Sequence, residues 1–225
     1  MSVDEIAPGL RRWTARHPDW HPSGFGAEVA SFALTAGDEL LLLDPLLPDD
    51  DRRDTVQEAL DGLVGDVRAV HVLITIPYHV RSAEALAERY DAAIWGPPKT
   101  INKLGDAGRF TPLGPDAEPG PAGVQGFTIG RPRRTERPLW LPSHQAIAFG
   151  DALVTTPGGH LRLWAQEPVD DRRIAFYRDR FVPTLAPLRD LPATRILTTH
   201  GAPVLTDGAA ALATALDTAP WYHRG

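Results

Sequence analysis

The sequence predicts an α/β fold in which sheets are sandwiched between helices. Short apolar runs bounded by turn residues alternate with segments whose apolar residues recur at helical spacing. That strand-and-helix pattern occurs twice, in halves of similar size, and no internal repeat or low-complexity tract interrupts it. At 225 residues and 43% hydrophobic composition the chain can build its core without staples. It contains no cysteine, which excludes disulfides, iron–sulfur clusters, thiolate zinc sites and cysteine nucleophiles.

The elements follow in order. Residues 28–35 and 39–43 flank Gly37-Asp38, a hairpin turn, and Asp44-Pro45 ends the second strand because proline cannot continue a central ladder. Asp54 and Gln57 have capping-box spacing, and Val56, Ala59, Leu60 and Leu63 follow as a helical stripe. Val70 to Thr75 is a nearly continuous apolar run, read as a buried strand that Pro77 stops. Ser82 precedes a helix with Ala83, Leu86, Ala87 and Tyr90 on one face. Ala93-Ile94-Trp95 is another short strand. Residues 104–138 read as a long loop holding one or two short strands. The strands at 139–141 and 146–149 are too few for an independent sheet, so residues 1–225 are expected to form one domain. An irregular stretch runs to about residue 170. A helix through Ile174, Tyr177, Phe181, Leu185 and Leu188, bent at Pro183 or Pro187, comes next. A strand at 195–197 and an Ala-rich helix at 206–216 complete the chain.

Charge narrows the function classes. The net charge is −6, from 23 basic and 29 acidic residues, which gives no general attraction for nucleic acid or anionic lipid. The first thirty residues lack a signal-peptide profile and no apolar run approaches a membrane span. The expectation is a cytoplasmic protein with a small-molecule ligand and neither a nucleic-acid nor a membrane partner. Only Lys99 and Lys103 are lysines, and with 20 Gly and 22 Pro the composition is of a GC-rich, actinobacterial type.

Several segments, taken together and in this order, are similar to the metallo-β-lactamase superfamily. Leu41-Leu42-Leu43-Asp44-Pro45 resembles its Leu-Ile-Asp-x-Gly, and Val72 to Thr75 resembles the strand leading into its H-x-H-x-D-H metal motif. Phe149-Gly150-Asp151 resembles the segment whose aspartate bridges two metals, and Thr199-His200-Gly201 resembles its late His-Gly ligand. The resemblance covers roughly residues 5–215 and implies a four-layer αββα sandwich with a metal-dependent hydrolase site.

The metal motif itself is absent. The positions after Thr75 that should hold ligands hold Ile76, Tyr78, Val80 and Arg81, and residues 124–138 contain no histidine. Only Asp151 and His200 remain in place. Catalytic zinc takes about three protein ligands plus an open position, and a two-metal site needs more, including a bridging carboxylate. The reading is therefore a degenerate member with no cofactor. It binds a small organic molecule and draws any chemistry from Tyr78, His79, Arg81, Asp151 and His200, by metal-independent acid–base steps. The alternatives are a mononuclear hydrolase holding one divalent zinc, iron or manganese on His79, Asp151 and His200, and a non-catalytic partner-binding scaffold.

Further residues carry expectations. His160 and Trp164 are expected to border the pocket mouth close to Asp151 and His200. Arg81 is expected to reach Asp151, replacing the lost metal charge. His17 and His21 are weighed as a loop lining the pocket. Arg131, Arg133, Arg134 and Arg137 read as a solvated loop, His144 as exposed and His71 as structural.

Overall fold

In the computed structural model, which describes residues 3–20, 25–114 and 118–223, the chain opens with four antiparallel strands. They are β1 (Asp4–Ala7), β2 (Leu10–Arg16), β3 (Glu28–Ala36) and β4 (Glu39–Leu43). Gly37, at φ +64°, makes the β3–β4 turn in a region that favours glycine. Helices α1 (Arg53–Val64) and α2 (Ala83–Tyr90) then link β4 to the parallel strands β5 (Ala69–Leu73) and β6 (Ala93–Gly96), and β7 (Phe110–Pro112) extends the sheet. The seven strands lie in sequence order.

A second sheet has the order β13-β10-β9-β8, from β8 (Gln125–Gly126), β9 (Leu139–Leu141), β10 (Ala146–Phe149) and β13 (Arg195–Thr198). A third, smaller sheet joins β11 (Leu153–Thr155), β12 (Leu161–Ala165) and β14 (Trp221–Tyr222). The helical layer on this side contains α3 (Asp171–Phe176), α4 (Ala186–Arg189) and α5 (Gly208–Asp217).

Strand alternation accounts for the layers. Leu40, Leu42, Val70 and Val72 pack under Val56, Leu60 and Leu86 of α1 and α2. Their neighbours Leu41 and Leu43, with Phe32 and Leu34, face Leu139, Leu141, Ala148 and Leu197 of the second sheet. Ile147, Phe149 and Ile196 point the other way, against Phe181, Leu185, Leu188 and Leu212. The run Leu40 to Leu43 is thus buried on both faces, each side chain contributing ~1.5–3 kcal/mol. The result is the expected αββα sandwich.

Some local expectations are corrected. Asp54 and Gln57 form no capping box: the helix starts at Arg53, and Gln57 instead donates to the Tyr90 hydroxyl at 2.6 Å, tying α1 to α2. Ser82 precedes α2 without capping it, because its Oγ accepts the Leu47 N–H at 2.9 Å. The stretch read as irregular, up to residue 170, contains the β11–β12 hairpin, whose apolar residues alternate too briefly to stand out. The bend near Pro183 is present, as a π turn and a 3-10 turn between α3 and α4.

Candidate functional site

Four polar residues lie just beyond the carboxyl ends of parallel strands: Asp44 after β4, Thr75 after β5, Asp151 after β10 and His200 after β13. Ligands in open α/β sheets bind at such ends. All four are buried.

Asp44 organises the first half. Its carboxylate accepts the Thr75 N–H at 2.8 Å, the Thr75 hydroxyl, and a bond from His79 Nδ1 at 3.0 Å. Its backbone sits at φ +43°, and Arg81 at φ +44°, both in the left-handed region that bulky L-residues avoid. The two strained residues hold each other, since Arg81 Nη1 donates to the Asp44 carbonyl at 3.1 Å. His79 enters the site although strand alternation gave it no place there. Pro77 starts a 3-10 turn over Pro77–His79, and the His79 N–H donates to the Ile76 carbonyl at 2.8 Å, which swings the ring back over Thr75. The same turn sends Tyr78 outward, where it is 52% exposed.

Asp151 organises the second half. Its Oδ1 lies 3.6 Å from His79 Nε2 and 3.5 Å from His200 Nε2, and its Oδ2 lies 3.9 Å from Arg133 Nη1. Its backbone N–H and that of Gly150 donate to Glu136 at 3.0 and 2.9 Å. Gly150 permits this approach, for a Cβ there would sit 2.7 Å from Thr75 Oγ1. Arg133 and Glu136 arrive together on a turn in which the Glu136 N–H donates to the Arg133 carbonyl, and the Arg137 N–H pins that turn to Thr75 at 2.7 Å.

The electrostatics follow from this packing. Burial works against charge on His79, as does Arg81, yet Asp44 and Asp151 flank it and its pKa is raised. Asp151 is buried too, but its bonds to His200 and His79 hold its carboxyl well below the usual range. His200 is lowered by burial against the pull of Asp151. Glu136 is pushed up to about 7 by burial and by Asp151. Tyr78 is pushed up by desolvation and Asp151, so its hydroxyl keeps its proton.

Of the sequence-predicted residues, His79, Asp151 and His200 come together as a cluster. Arg81 lies beside them but does not make the expected direct contact with Asp151: its guanidinium bonds Asp44, and Arg133 takes the carboxylate. Trp164 reaches the cluster, with its ring 5.8 Å from that of His200 and 4.8 Å under the Arg133 guanidinium. His160 is exposed in the turn that joins β11 to β12. His17 lies within the fields of Arg81, His79 and His200, with its Nδ1 accepting the Asp19 N–H, whereas His21 lies outside the described residues. His144, expected exposed, is buried, and His71 accepts from Trp95 Nε1 at 3.3 Å.

No family model matches this sequence, and no curated protein matches it either. Solved structures do. The DIM-1 metallo-beta-lactamase exposed to ceftazidime is similar at a TM-score of 0.64 and 14% identity, covering 96% of this chain and 95% of that one. A metallo-beta-lactamase from Erythrobacter litoralis gives 0.63 at 18% identity, over 95% and 93%. A metallo-beta-lactamase family protein from Thermus thermophilus gives 0.59 at 18%, over 95% and 80%. The chain has the metallo-β-lactamase fold.

The residues present do not fit the two-metal centre that the metallo-β-lactamase fold implies. Ile76 and Val80 are buried apolar side chains at two expected ligand positions, and Tyr78 points outward at a third. His79 commits Nδ1 to Asp44, and its Nε2 shares one oxygen of Asp151 with His200. Two guanidiniums already bring positive charge to the centre. Among the described residues no group of three or more His, Asp or Glu side chains has the geometry to hold a metal ion.

Arg133, Glu136 and Asp44 are the residues that sequence reasoning left out of the site. Asp44 carried a signal, its place in the Leu-Leu-Leu-Asp-Pro segment. Arg133 and Glu136 carried little, because a Pro- and Arg-rich loop looks solvated; Arg133 is only 4% exposed and Glu136 fully buried.

Proposed function

We propose that this metallo-β-lactamase-fold protein replaces the metal centre with a network of charged side chains, and that it binds a small organic molecule there for metal-independent acid–base chemistry. The observation that carries the reading is the surroundings of Asp151, whose two oxygens are met by His79, His200 and Arg133 at 3.5–3.9 Å. A buried carboxylate needs such partners, and side-chain cations supply them.

Each group then has a role. Asp44 accepts the His79 Nδ1–H and fixes the ring; with Asp151 facing Nε2, His79 is an imidazolium that takes the metal's place electrostatically. Asp151 Oδ1 in turn faces Nε2 of His200 at 3.5 Å, which sets the proton of a neutral His200 on that nitrogen. That tautomer leaves a lone pair on His200 Nδ1, a buried atom with no hydrogen-bond partner, as the base that takes a proton from the ligand. The protonated Tyr78 hydroxyl, at the mouth, donates to a ligand oxygen. Among the described residues no helix is long and apolar enough to cross a membrane.

Nitrogen-15 NMR of the imidazoles at pH 7 tests the network. The expected result is a doubly protonated His79 and a neutral His200 whose Nδ1 is unprotonated. A neutral His79 would contradict the reading. The approach of His79 and His200 Nε2 to the same Asp151 oxygen gives the second reading, a single-metal hydrolase in which His79, Asp151 and His200 would hold the ion and both imidazoles would be neutral.

A further inference from the structure

A cleft of about 410 Å³ is lined by Arg133 of the charge network and by residues of the α3 segment. Its chemistry is mixed. Phe176, 39% exposed, and Tyr177 offer aromatic surface. Three arginines, Arg133, Arg172 and Arg173, face two carboxylates, Glu167 and Asp170.

Both carboxylates are already engaged. Glu167 is paired with the Arg173 guanidinium, and Asp170 caps α3 by accepting the Arg173 N–H at 2.8 Å. That leaves Arg172, which is exposed and makes no ion pair within 4.0 Å among the described residues. It also leaves Arg133, whose nearest acid, Asp151, is 3.9 Å away. Arg133 is the more telling of the two. It is 4% exposed, stacks on Trp164, and has no hydrogen-bond partner at either Nε or Nη2. Those two nitrogens form one edge of the guanidinium plane, the edge that pairs side-on with a carboxylate. Leaving buried donors unpaired is costly, so a cation held this way is pre-set for an anion.

We propose that the cleft binds a small monocarboxylate with an apolar, ring-sized body, its carboxylate drawn between Arg133 and Arg172 and its ring against Phe176 and Tyr177. The proposal rests on the reading of Asp151 and His200 as the reacting centre, because Arg133 touches both the cleft and Asp151 and so presents the ligand to them. It adds the substrate class that reading lacks. The volume lies in the range of small-molecule sites, and the surplus of positive charge selects an anion over its neutral isostere.

Isothermal titration with benzoate and with benzamide is the test, on wild type and two variants. Benzoate is expected to bind wild type at least tenfold more tightly than benzamide. Arg172→Ala, a surface change, is expected to weaken benzoate severalfold and leave benzamide alone. Arg133→Met is expected to abolish the preference. Should that variant not fold, Arg172→Ala decides the matter by itself. The imidazole NMR separates the cleft from the acid–base reading: a His79 found neutral together with intact benzoate selectivity would remove that reading and keep the cleft. Equal affinity for benzoate and benzamide, absence of binding by either, or selectivity unchanged in Arg172→Ala would overturn the proposal.

Discussion

At the residue scale the site is a chain of contacts around Asp151, and each link makes a measurable difference. Replacing Arg133 by Met removes the cation nearest Asp151 Oδ2 and strands part of a buried carboxylate. A loss of about 1–3 kcal/mol is expected in urea unfolding, less than for a fully isolated pair because His79 and His200 stay on Oδ1. Asp151→Asn in the same background should recover part of it. Proton linkage gives a second outcome. Glu136 is raised from 4.5 to about 7, so between those pH values the folded state binds more protons than the unfolded one and stability falls as pH rises. His79 is also raised, so its contribution is complete below about 6.5 and is lost as pH climbs through its higher folded value. Stability-versus-pH curves should therefore lose the lower slope in Glu136→Gln and the upper slope in His79→Gln. A curve unchanged by either substitution would remove that group from the account.

At the element scale, turns rather than strands decide which side chains meet. The 3-10 turn after β5 buries His79 within the charge cluster and leaves Tyr78 exposed at its mouth, and nothing in strand periodicity foretells that exchange. The loop before β9 behaves in the same way, since two buried charged residues are hidden in a stretch whose Gly, Pro and Arg content resembles solvated surface. The loop carrying His200 is held by a close crossing. The Thr155 N–H of β11 donates to the His200 carbonyl at 3.0 Å, and Gly201 sits at φ +87°. A Cβ on Gly201 would overlap the Thr155 carbonyl oxygen. Gly201→Ala must therefore separate β11 from the His200 loop, at a cost of about 1–3 kcal/mol for strain and lost contacts. Circular dichroism melts should show the lower Tm, and the His200 imidazole resonances should move with it. A variant as stable as wild type would mean that the crossing is looser than described.

At the scale of the whole molecule, the layers were legible in the sequence because they depend on repetition. Leu40 to Leu43, Val72 to Ile74 and Ile147 to Phe149 alternate between two apolar surroundings, and burial on both faces writes itself into composition. The β11–β12 hairpin was not legible, since three or five residues carry too short a period. The site divides along the same line. Asp151 and His200 end predictable strands and could be placed; His79 was found as a residue but not explained. Arg133 and Glu136 depend on long-range contacts with Asp151 that no local pattern records. What emerges is a metallo-β-lactamase fold in which histidine and arginine side chains surround the buried carboxylate of Asp151. The most direct test is elemental analysis of protein purified without added metal or chelator. The account predicts zinc, iron and manganese each far below one equivalent, with no change in Asp151→Ala or His200→Ala. Near-stoichiometric metal in wild type, lost in either variant, would contradict it.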